Sequence, residues 1–472
     1  MRNVILDKCR KSIHINSLTV AVTKSENRII KKIGYMWPML VLGLVTMVDN
    51  ADQSIVRGVA LQIERTFHVG DFQISLLGAA ATVVNALVTM PAGYLADRWH
   101  RVRSIMITVL LWSLLSTFGA FSPTFFTLFM VRSLLGFGQG ITEPSGNSLL
   151  ADYYERNGRA RAFSMQQALL YVGVALGTTG SSIIGQHLGW RAAYLMVSIP
   201  GLGIALLVLL LHEPFRGSSD YSALKLRKED EPKKIKLFDK GFGNFAKNMF
   251  SGLYEDVKTI LKIPTLRLTL VGVASILFTV SAIGFWLPVF YLRSFHLTQS
   301  KAGIYFGIMV ILGGLPGLYV GGKLSDRLVP IKSETRVVIP GVCAIVSVSF
   351  FLLSFANLTL LPTVILQTVG FFAGTMAVPA LRAGLSDVTP GTLRGTGFGA
   401  FNLTSVIFGS AIAPTVVGFF SQLFGNNLRV AFIIVLPPVY IGSYLLIRAR
   451  KHIDKDSQAI FQRILEANKS DD

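Results

Sequence analysis

Long apolar runs, each about the length of a membrane-spanning helix, occupy most of the sequence. A helix needs about 20 predominantly apolar residues to cross the hydrocarbon core of a bilayer. Since 51% of the 472 residues are hydrophobic and only 15% are charged, against about 25% charged in a typical soluble domain, most of the chain must lie in lipid. The runs lie near residues 37–61, 73–96, 103–122, 125–150, 161–186, 191–211, 266–291, 301–324, 336–356, 361–385, 395–422 and 429–448.

The positively charged residues of the chain are concentrated in alternate loops and in the tails. A formal net charge of +19 would suggest a nucleic-acid partner in a soluble protein. Here Lys and Arg fall in alternate loops, at 98–103, 156–161 and 323–336, and in both tails, which is the pattern of the positive-inside rule. We therefore expect no nucleic-acid partner. We predict a multi-pass protein of the plasma (inner) membrane with both termini in the cytoplasm.

One sequence phrase occurs twice. GYLADRWHRVR, residues 93–103, follows the second apolar run, and a shorter form, GGKLSDR, residues 321–327, follows the eighth. Both contain a glycine, three further residues, an Asp and an Arg, and their aspartates, Asp97 and Asp326, lie 229 residues apart. The repeat predicts one six-helix unit used twice in the same orientation. Two such halves meet around a central cavity.

The longest polar stretch separates the two sets of runs. Within it, apolar residues recur at three- and four-residue spacing between Phe242 and Leu261, with lysines among them, as in a helix that lies on a membrane surface. An ordinary linker helix without lipid contact is an equal alternative. The predicted division is a cytoplasmic tail 1–34, an N-terminal bundle 35–211, a cytoplasmic linker 212–264, a C-terminal bundle 265–448 and a cytoplasmic tail 449–472.

Ionisable residues inside the apolar runs are few. A charge at the bilayer centre costs roughly 2.5 to 3.5 kcal/mol, so such residues are functional candidates by default. In the first run, Asp49 and Asp52 lie near the expected midplane, and together with Gln53 they occupy one side of the helix.

The fourth run carries a second polar stripe. At about 100° per residue, Arg132, Gln139 and Glu143 share one narrow face of a helix. Gly136 and Gly140 beside this face allow another helix or a ligand to approach closely. We expect the polar stripes of the first and fourth runs to face each other across the cavity.

Several of these phrases resemble the signatures of a transporter family. GYLADRWHRVR, GGKLSDR, RSLLGFGQG (132–140) and GWRAAY (189–194) are similar, in this order, to motifs of the major facilitator superfamily. TMVDNADQSIVRG (46–58) resembles the first helix of its Spinster-like branch. The resemblance implies an all-α membrane protein with twelve transmembrane helices in two pseudo-symmetric six-helix bundles. It also implies lysophospholipids or sphingosine phosphates as substrates. This sequence departs from the branch at Gln139, where an acid is usual, and at Gln53, where an Arg is usual.

The charged residues suggest a way to couple transport to protons. Desolvation favours a neutral carboxyl group, whereas a nearby cation favours the carboxylate. A carboxyl group in a cavity that alternately hydrates and dries can therefore bind and release a proton. We expect Asp52, favoured by the resemblance, to act with Arg132 as the coupling pair, with Glu143 and Asp49 as further candidates. The alternative is that these charges only neutralise one another and hold the two spans together.

Substrate contacts are predicted from polar and aromatic residues. Arg132 offers a forked donor set to a carboxylate or phosphate, and the aromatic residues of the second half suit an amphipathic substrate. Packing is the alternative role for each of these residues. The candidate substrate-binding residues are Arg132, Gln139, Gln53, Asn85, Tyr171, Trp286 and Asn402.

The repeated phrase predicts a conformational latch. Asp97 and Asp326 lie beside helix ends, where a carboxylate can meet the positive N-terminal dipole of a helix in the opposite half. By resemblance, such contacts close the cytoplasmic side of the transporter. A simple helix stop is the alternative. The predicted latch residues are Gly93, Asp97, Arg98, Arg101, Asp326 and Arg327.

Motifs for enzymes and nucleotide-driven pumps are missing from the sequence. It contains no GxxxxGK[ST] loop, no HExxH and no paired Cys/His set, so we expect no enzyme activity, cofactor or metal site. The glycines of residues 173–180 are attributed to close helix packing. We predict a monomeric, proton-coupled secondary transporter for an amphipathic lipid-like or drug-like molecule, in contact with membrane lipids. Uptake of a small organic anion and a transport-inactive membrane receptor remain as alternatives.

Overall fold

A computed structural model describes most of the predicted spans. The predicted tail 1–34 lies outside the described residues, and so does almost all of the predicted surface helix 242–261, of which only Lys258 is described. The described residues are 36–96, 99–154, 156–214, 258, 264–328, 334–387, 403 and 405–453, without the side chains of 90, 92–96, 156–160, 326 and 382–387.

Twelve helices in the described part are long and apolar enough to cross a membrane, which confirms the predicted fold class. Their described bounds differ from the predicted runs by a few residues, except that the first helix continues about six residues further than predicted. The predicted start of the eleventh run, near residue 395, lies outside the described residues. The helices are α1 Met36–Phe67, α2 Asp71–Ala96, α3 Arg101–Ala120, α4 Phe125–Tyr153, α5 Arg156–Leu188, α6 Trp190–Leu209, α7 Pro264–Phe295, α8 (Gln299–Met309, Val310–Gly314 and Leu315–Leu328), α9 Thr335–Ser354, α10 Leu360–Asp387, α11 (Val406–Ala411 and Ile412–Leu423) and α12 (Leu428–Val435 and Pro438–Arg448).

The two halves of the chain pack in the same way. In the first half, α4 packs against both α2 and α3, and α3 packs against α6. In the second half, α10 packs against both α8 and α9, and α9 packs against α12. Each pair in one half therefore has a counterpart six helices later, as two copies of one six-helix bundle require.

The connecting loops repeat as well. The loop between α1 and α2 turns at His68 (φ 53°), and the loop between α7 and α8 turns at His296 (φ 50°). The last loop of each half turns at a glycine, Gly189 (φ 85°) or Gly425 (φ 68°). A left-handed residue is rare outside glycine and lets the chain reverse within a very short loop. The repeat is thus visible in backbone conformation as well as in helix packing.

Small residues bring α5 close to α1. A Cβ atom added to Gly173 would lie 2.1 Å from the carbonyl oxygen of Met47, and one added to Gly177 would lie 2.4 Å from that of Ala51. Both distances are far below van der Waals contact, so only glycine fits. The attribution of these glycines to helix packing is therefore confirmed, and α1 is held in the interior of the N-terminal bundle.

The two ends of the bundle differ in charge. At the short-loop end, the connections are the loops 68–70, 121–124, 189, 296–298, 355–359 and 424–427. At the opposite end, here called the basic end, the even-numbered helices finish and the following odd-numbered helices begin. Basic side chains described at that end include Arg101, Arg161, Lys323, Arg327, Arg336, Arg448, Arg450 and Lys451.

The close packing of α5 on α1 predicts the effect of Gly177→Ala. The added methyl group would collide with the backbone of α1, and overpacking of this kind costs about 1–3 kcal/mol. We expect the apparent thermal unfolding midpoint of the purified protein, measured by tryptophan fluorescence in detergent, to fall by several degrees.

The matched control is Gly203→Ala in α6, where a Cβ atom would meet nothing within 4 Å. There the better helix propensity of alanine should leave the midpoint unchanged or raise it slightly. Equal midpoints for the two variants would contradict the proposed packing.

Candidate functional site

A cavity of about 580 Å³ lies between the two halves. Most of its lining comes from the part of each helix nearest the basic end: the first half of α1, α3 and α5, and the second half of α2 and α4. The second half of the chain contributes Val406 and Ser410, both in the π-helical segment of α11. The remaining lining residues are Leu42, Val45, Thr46, Asp49, Asn50, Gln53, Thr82, Asn85, Ala86, Thr89, Ile105, Gln139, Thr142, Glu143, Gly146, Asn147, Phe163, Gln166, Gln167 and Leu170.

The two polar stripes expected from the sequence both reach this cavity. Asp49 and Gln53 from α1 line it, and so do Gln139 and Glu143 from α4. Gln53 Nε2 donates a hydrogen bond of 3.3 Å to Asp49 Oδ2. Within the part of the chain that the structure describes, the buried Oδ1 atom of Asp49 accepts no well-aligned hydrogen bond, although the Gln139 amide lies beside the carboxyl group. The wall formed by α1 and α4 therefore presents a carboxyl oxygen that can accept a hydrogen bond from a ligand.

Carboxamides dominate the polar part of the wall. Seven Asn and Gln side chains line the cavity, together with the carboxyl groups of Asp49 and Glu143. Four of the amides already make hydrogen bonds within the wall: Asn50 Nδ2 donates to the Thr46 carbonyl oxygen at 2.9 Å, Gln53 Nε2 to Asp49 Oδ2 at 3.3 Å and Gln166 Nε2 to Thr46 Oγ1 at 3.2 Å, and Asn85 Oδ1 accepts from Thr89 Oγ1 at 3.0 Å. Each amide can donate and accept hydrogen bonds, so the wall suits a ligand with polar groups of both kinds.

A buried ion pair lies directly behind the wall. Arg132 Nη1 is 3.1 Å from Asp52 Oδ2 and 3.3 Å from the Asp52 carbonyl oxygen. The Ser116 hydroxyl donates to Asp52 Oδ1, and the Tyr194 ring centroid lies 5.9 Å from the guanidinium carbon of Arg132. Asp52 is 0% exposed and Arg132 1%. The pair joins α1 to α4, and neither side chain belongs to the described cavity lining.

The other predicted substrate contacts fall into three groups. Asn85, like Gln53 and Gln139, lines the cavity. Trp286 is buried and donates from Nε1 to the Pro414 carbonyl oxygen at 2.8 Å, so it serves the packing of α7 on α11. Tyr171 packs edge-on against Phe371 across the two halves, with ring centroids 6.3 Å apart. Asn402 lies outside the described residues.

The predicted latch is only partly described. Asp97 and Arg98 lie outside the described residues, and for Gly93 and Asp326 the helix is described but the side chain is not. Arg327 is exposed at the end of α8. Arg101 is fully buried and bonded within its own half, to Asp152, Ser148, Glu213 and the Pro214 carbonyl oxygen. It ties α3 to α4 and to the segment that follows α6.

An ion-pair network closes the short-loop end between the halves. Arg293 of α7 contacts both carboxylate oxygens of Asp71 in α2, at 2.6 and 2.7 Å, and Glu64 of α1 at 3.0 Å. The Ser421 hydroxyl of α11 donates to Asp71 Oδ2 at 2.6 Å. Three helices therefore meet at the Asp71 carboxylate, and α1 joins them through the contact of Glu64 with Arg293. We call these four residues, Glu64, Asp71, Arg293 and Ser421, the closing network.

Hydrogen bonds between α5, α1 and α8 extend this closure. Gln299 Nε2 donates to the Gly58 carbonyl oxygen at 2.8 Å, and the Thr179 hydroxyl donates to the Gly303 carbonyl oxygen at 2.9 Å. The side chain of Gln186 accepts from the Ser300 backbone N–H at 2.8 Å. All these bonds lie at the short-loop end, whereas the cavity lies toward the basic end.

Sequence reasoning did not single out the closing network or Arg57. Arg293, Asp71 and Glu64 lie near the ends of apolar runs, where charges usually face water, and only the fold brings them together. Arg57 lies one helical turn beyond Gln53, on the same face of α1. Its Nε is buried without a hydrogen-bond partner in the described chain, and its Nη1 lies 3.7 Å from a Cβ placed on Gly284. A search for every ionisable residue in the first run would have found it.

Comparisons with known proteins agree with this architecture. A family model described as Major Facilitator Superfamily matches residues 42–414. The chain is 25% identical over 418 residues to protein spinster homolog 1 of Xenopus tropicalis, covering 84% of this chain and 74% of that protein. It is 26% identical over 417 residues to protein spinster homolog 1 of Homo sapiens, covering 83% and 74%.

A solved structure shares the fold. It is the crystal structure of a bacterial homolog to the human lysosomal transporter Spinster, in an inward-facing and unoccupied conformation. The TM-score is 0.69 with 20% sequence identity, and the match covers 91% of this chain and 98% of that one.

The buried ion pair predicts the effect of Arg132→Met. Removing one partner leaves the Asp52 carboxylate buried without a counter-ion, which costs about 3–5 kcal/mol. We expect a clear fall in the thermal unfolding midpoint in detergent. The double variant Asp52→Asn, Arg132→Met removes both charges and should recover most of the loss.

The matched control is Arg327→Met, because Arg327 is exposed. A midpoint for Arg132→Met equal to that of this control would show that the pair does not hold α1 and α4 together.

Proposed function

This chain belongs to the Major Facilitator Superfamily and is a Spinster-like transporter, and from that premise we propose that it is proton-coupled and moves an amphipathic lipid-like or drug-like molecule by alternating access. The observation that carries the coupling proposal is the placement of charge. The Asp52–Arg132 pair is sealed behind a cavity whose wall presents the carboxyl groups of Asp49 and Glu143. A proton that enters the cavity and binds at Asp49 therefore lies within electrostatic range of a pair that joins two helices.

The orientation follows from charge. We assign the basic end to the cytoplasm and both termini with it, in the inner membrane, because positive residues favour the cytoplasmic face. The described contacts between the halves that close the short-loop end then face outward, and the cavity lies toward the cytoplasm. In this orientation the conformation is inward-facing. We also propose a monomer, since one chain contains both halves and the cavity between them.

The coupling step uses the carboxyl groups in series. Asp49 lies within electrostatic range of both Glu143 and Asp52, so a proton bound at the wall changes the field at the pair. Protonation of Asp52 would remove the charge that holds Arg132, and the contact between α1 and α4 would weaken. Because α1 also carries Glu64 of the closing network, a movement of α1 would disturb the contact between Glu64 and Arg293 at the short-loop end.

The chemistry of the wall supports an amphipathic substrate. Apolar side chains such as Leu42, Val45 and Phe163 alternate with amides around the cavity, so one ligand can bury hydrocarbon and satisfy polar groups. Uptake of a small organic anion has less support, since the described lining contains no Lys or Arg. A transport-inactive receptor would share the fold, and only a transport or conformational measurement separates it from the leading proposal.

The closing network predicts that Arg293→Gln opens the short-loop end. Charge-assisted hydrogen bonds contribute about 1.5–3 kcal/mol, so their loss should shift the ratio of closed to open forms about tenfold. The probe is Val417→Cys, a buried position on α11 near the network, in a background in which Cys9 and Cys343 are replaced by alanine. We expect a water-soluble maleimide to label this cysteine about tenfold faster in the variant.

Arg191→Gln is the control for the gate. Arg191 also lies at the short-loop end, but it donates to the Ser122 carbonyl oxygen and stacks on Trp190, both within its own half. Its substitution should leave labelling unchanged. A labelling rate in Arg293→Gln no higher than in this control would remove the network from the gating mechanism.

Proton coupling at Asp52 predicts that Asp52→Asn removes the pH dependence of the same gate. Because maleimide reacts with the thiolate, each labelling rate is divided by the rate for the same protein unfolded in denaturant at the same pH. Asparagine resembles the protonated side chain, so the normalised rate of the variant at pH about 8 should equal that of the parent protein at pH about 5. This measurement needs no substrate. Glu334→Gln, at the start of α9 and away from the cavity, should keep the parent pH dependence. A variant that responds to pH as the parent does would exclude Asp52 as the coupling group.

A further inference from the structure

The cavity has an unbalanced charge. Among its described lining residues, the two ionisable side chains are Asp49 and Glu143, and both are acids. The remaining polar lining is neutral: carboxamides, the hydroxyl groups of Thr46, Thr82, Thr89, Thr142 and Ser410, and backbone. The helices around the cavity therefore present negative charge to a ligand and, in the described part, no positive charge to balance it.

The arginine side chains near the cavity are either paired with other carboxylates or lie away from Asp49 and Glu143. Arg132 neutralises Asp52 behind the wall, and Arg101 is bonded to Asp152 and Glu213 near the basic end. Arg57 lies two turns beyond Asp49 toward the short-loop end, beside Gly284. In the chain as described, none of these guanidinium groups pairs with Asp49 or Glu143.

A second observation points to a ligand. Asp49 Oδ1 is buried and accepts no well-aligned hydrogen bond in the described structure, although Oδ2 of the same carboxyl group accepts from Gln53 at 3.3 Å and the Gln139 amide lies beside the carboxyl group. A buried acceptor without a partner is costly, and this one belongs to a residue of the cavity wall. The volume of the cavity, its negative charge and this acceptor together favour a cationic ligand with N–H donors.

We propose that the cavity binds an organic cation, a protonated amine whose N–H groups meet Asp49 and Glu143 while the amides and apolar residues surround the rest of the molecule. This inference rests on the proposed transport function and names its substrate class. A charge-assisted hydrogen bond to a carboxylate is stronger than one between neutral groups, and the seven amides suit hydroxyl or amide groups on the same ligand.

The same charge explains how the cation is exchanged for protons. A proton and an ammonium group each neutralise a carboxylate, so they compete for Asp49 and Glu143. Binding of the cation releases the proton from the carboxyl group to water, and binding of the proton expels the cation. From the other elements around the cavity, α2 presents Asn85, α5 presents Gln166 and Gln167, and α11 presents Ser410, all uncharged. The competition therefore takes place at these two carboxyl groups.

The test compares two dyes of one shape and opposite charge. Rhodamine 123 is a cation with amino groups, and fluorescein methyl ester keeps its ring skeleton and ester but carries oxygens and a negative charge at pH about 8. Fluorescence anisotropy with the purified full-length protein measures the affinity for each. We expect rhodamine 123 to bind at least about tenfold more tightly than the anion, and to bind more weakly at pH about 5.5.

Two variants identify the binding groups. Asp49→Asn, Glu143→Gln removes both charges and should weaken rhodamine 123 binding about tenfold or more. Gln53→Arg keeps both carboxyl groups but gives Asp49 a counter-ion from the residue that already contacts it, so it should also weaken binding severalfold. Glu334→Gln, outside the cavity lining, should bind the dye as the parent protein does.

Three outcomes would overturn the inference: equal affinity for the two dyes, unchanged affinity in the double variant, or no binding of either rhodamine 123 or a second cation, ethidium. Each can occur while the normalised labelling rate of Val417→Cys still depends on pH, in which case proton coupling stands and only the cationic substrate fails. Selective cation binding without any pH dependence of the normalised labelling rate would support the substrate class and exclude proton coupling.

Discussion

The cost of charge in a low-dielectric interior governs the arrangement of this protein. An ion buried away from water must be paired and hydrogen-bonded, or it destabilises the fold. Three clusters meet this requirement in the described chain: Asp52 with Arg132, Arg101 with Asp152 and Glu213, and Arg293 with Asp71 and Glu64. The first joins α1 to α4, the second fixes the start of α3, and the third joins the two halves. Each cluster thus stabilises a different contact.

The residues that these clusters leave unbalanced are Asp49, Glu143 and Arg57. The first two line the cavity, and the third lies deeper along α1. In a static structural protein such groups would be a defect, since each lacks a compensating partner in the described part. In a transporter they are useful, because the partner can arrive from outside as a proton or a substrate and leave again. The proposed function and the proposed substrate class both follow from this imbalance.

The two halves share a fold but not a chemistry. Their helix packing and their loop conformations repeat, yet the described cavity lining comes mostly from the first half, and α11 supplies only Val406 and Ser410 from the second. Helix α1 connects the parts of the first half. It carries Asp49 in the wall, Asp52 in the buried pair and Glu64 in the closing network. A rigid helix with all three groups can transmit a change of charge in the cavity to the contact that closes the other end.

Apolar run length, the repeated Gly-x-x-x-Asp-Arg phrase and the family motifs were enough to predict twelve spans in two similar halves, because helix length and backbone hydrogen bonding leave a membrane chain few alternatives. Helical periodicity also placed Gln139 and Glu143 on one face of α4, since their four-residue spacing is enough to bring them to the same side of a helix.

The tertiary structure decided which charges meet. It set Asp52 and Arg132 behind the wall rather than in it, assigned Trp286 to packing, and joined Asp71 to Arg293 across the halves. Periodicity along one helix says which side a residue faces, but the partner on that side depends on how separate helices pack, and that information is not local in the sequence.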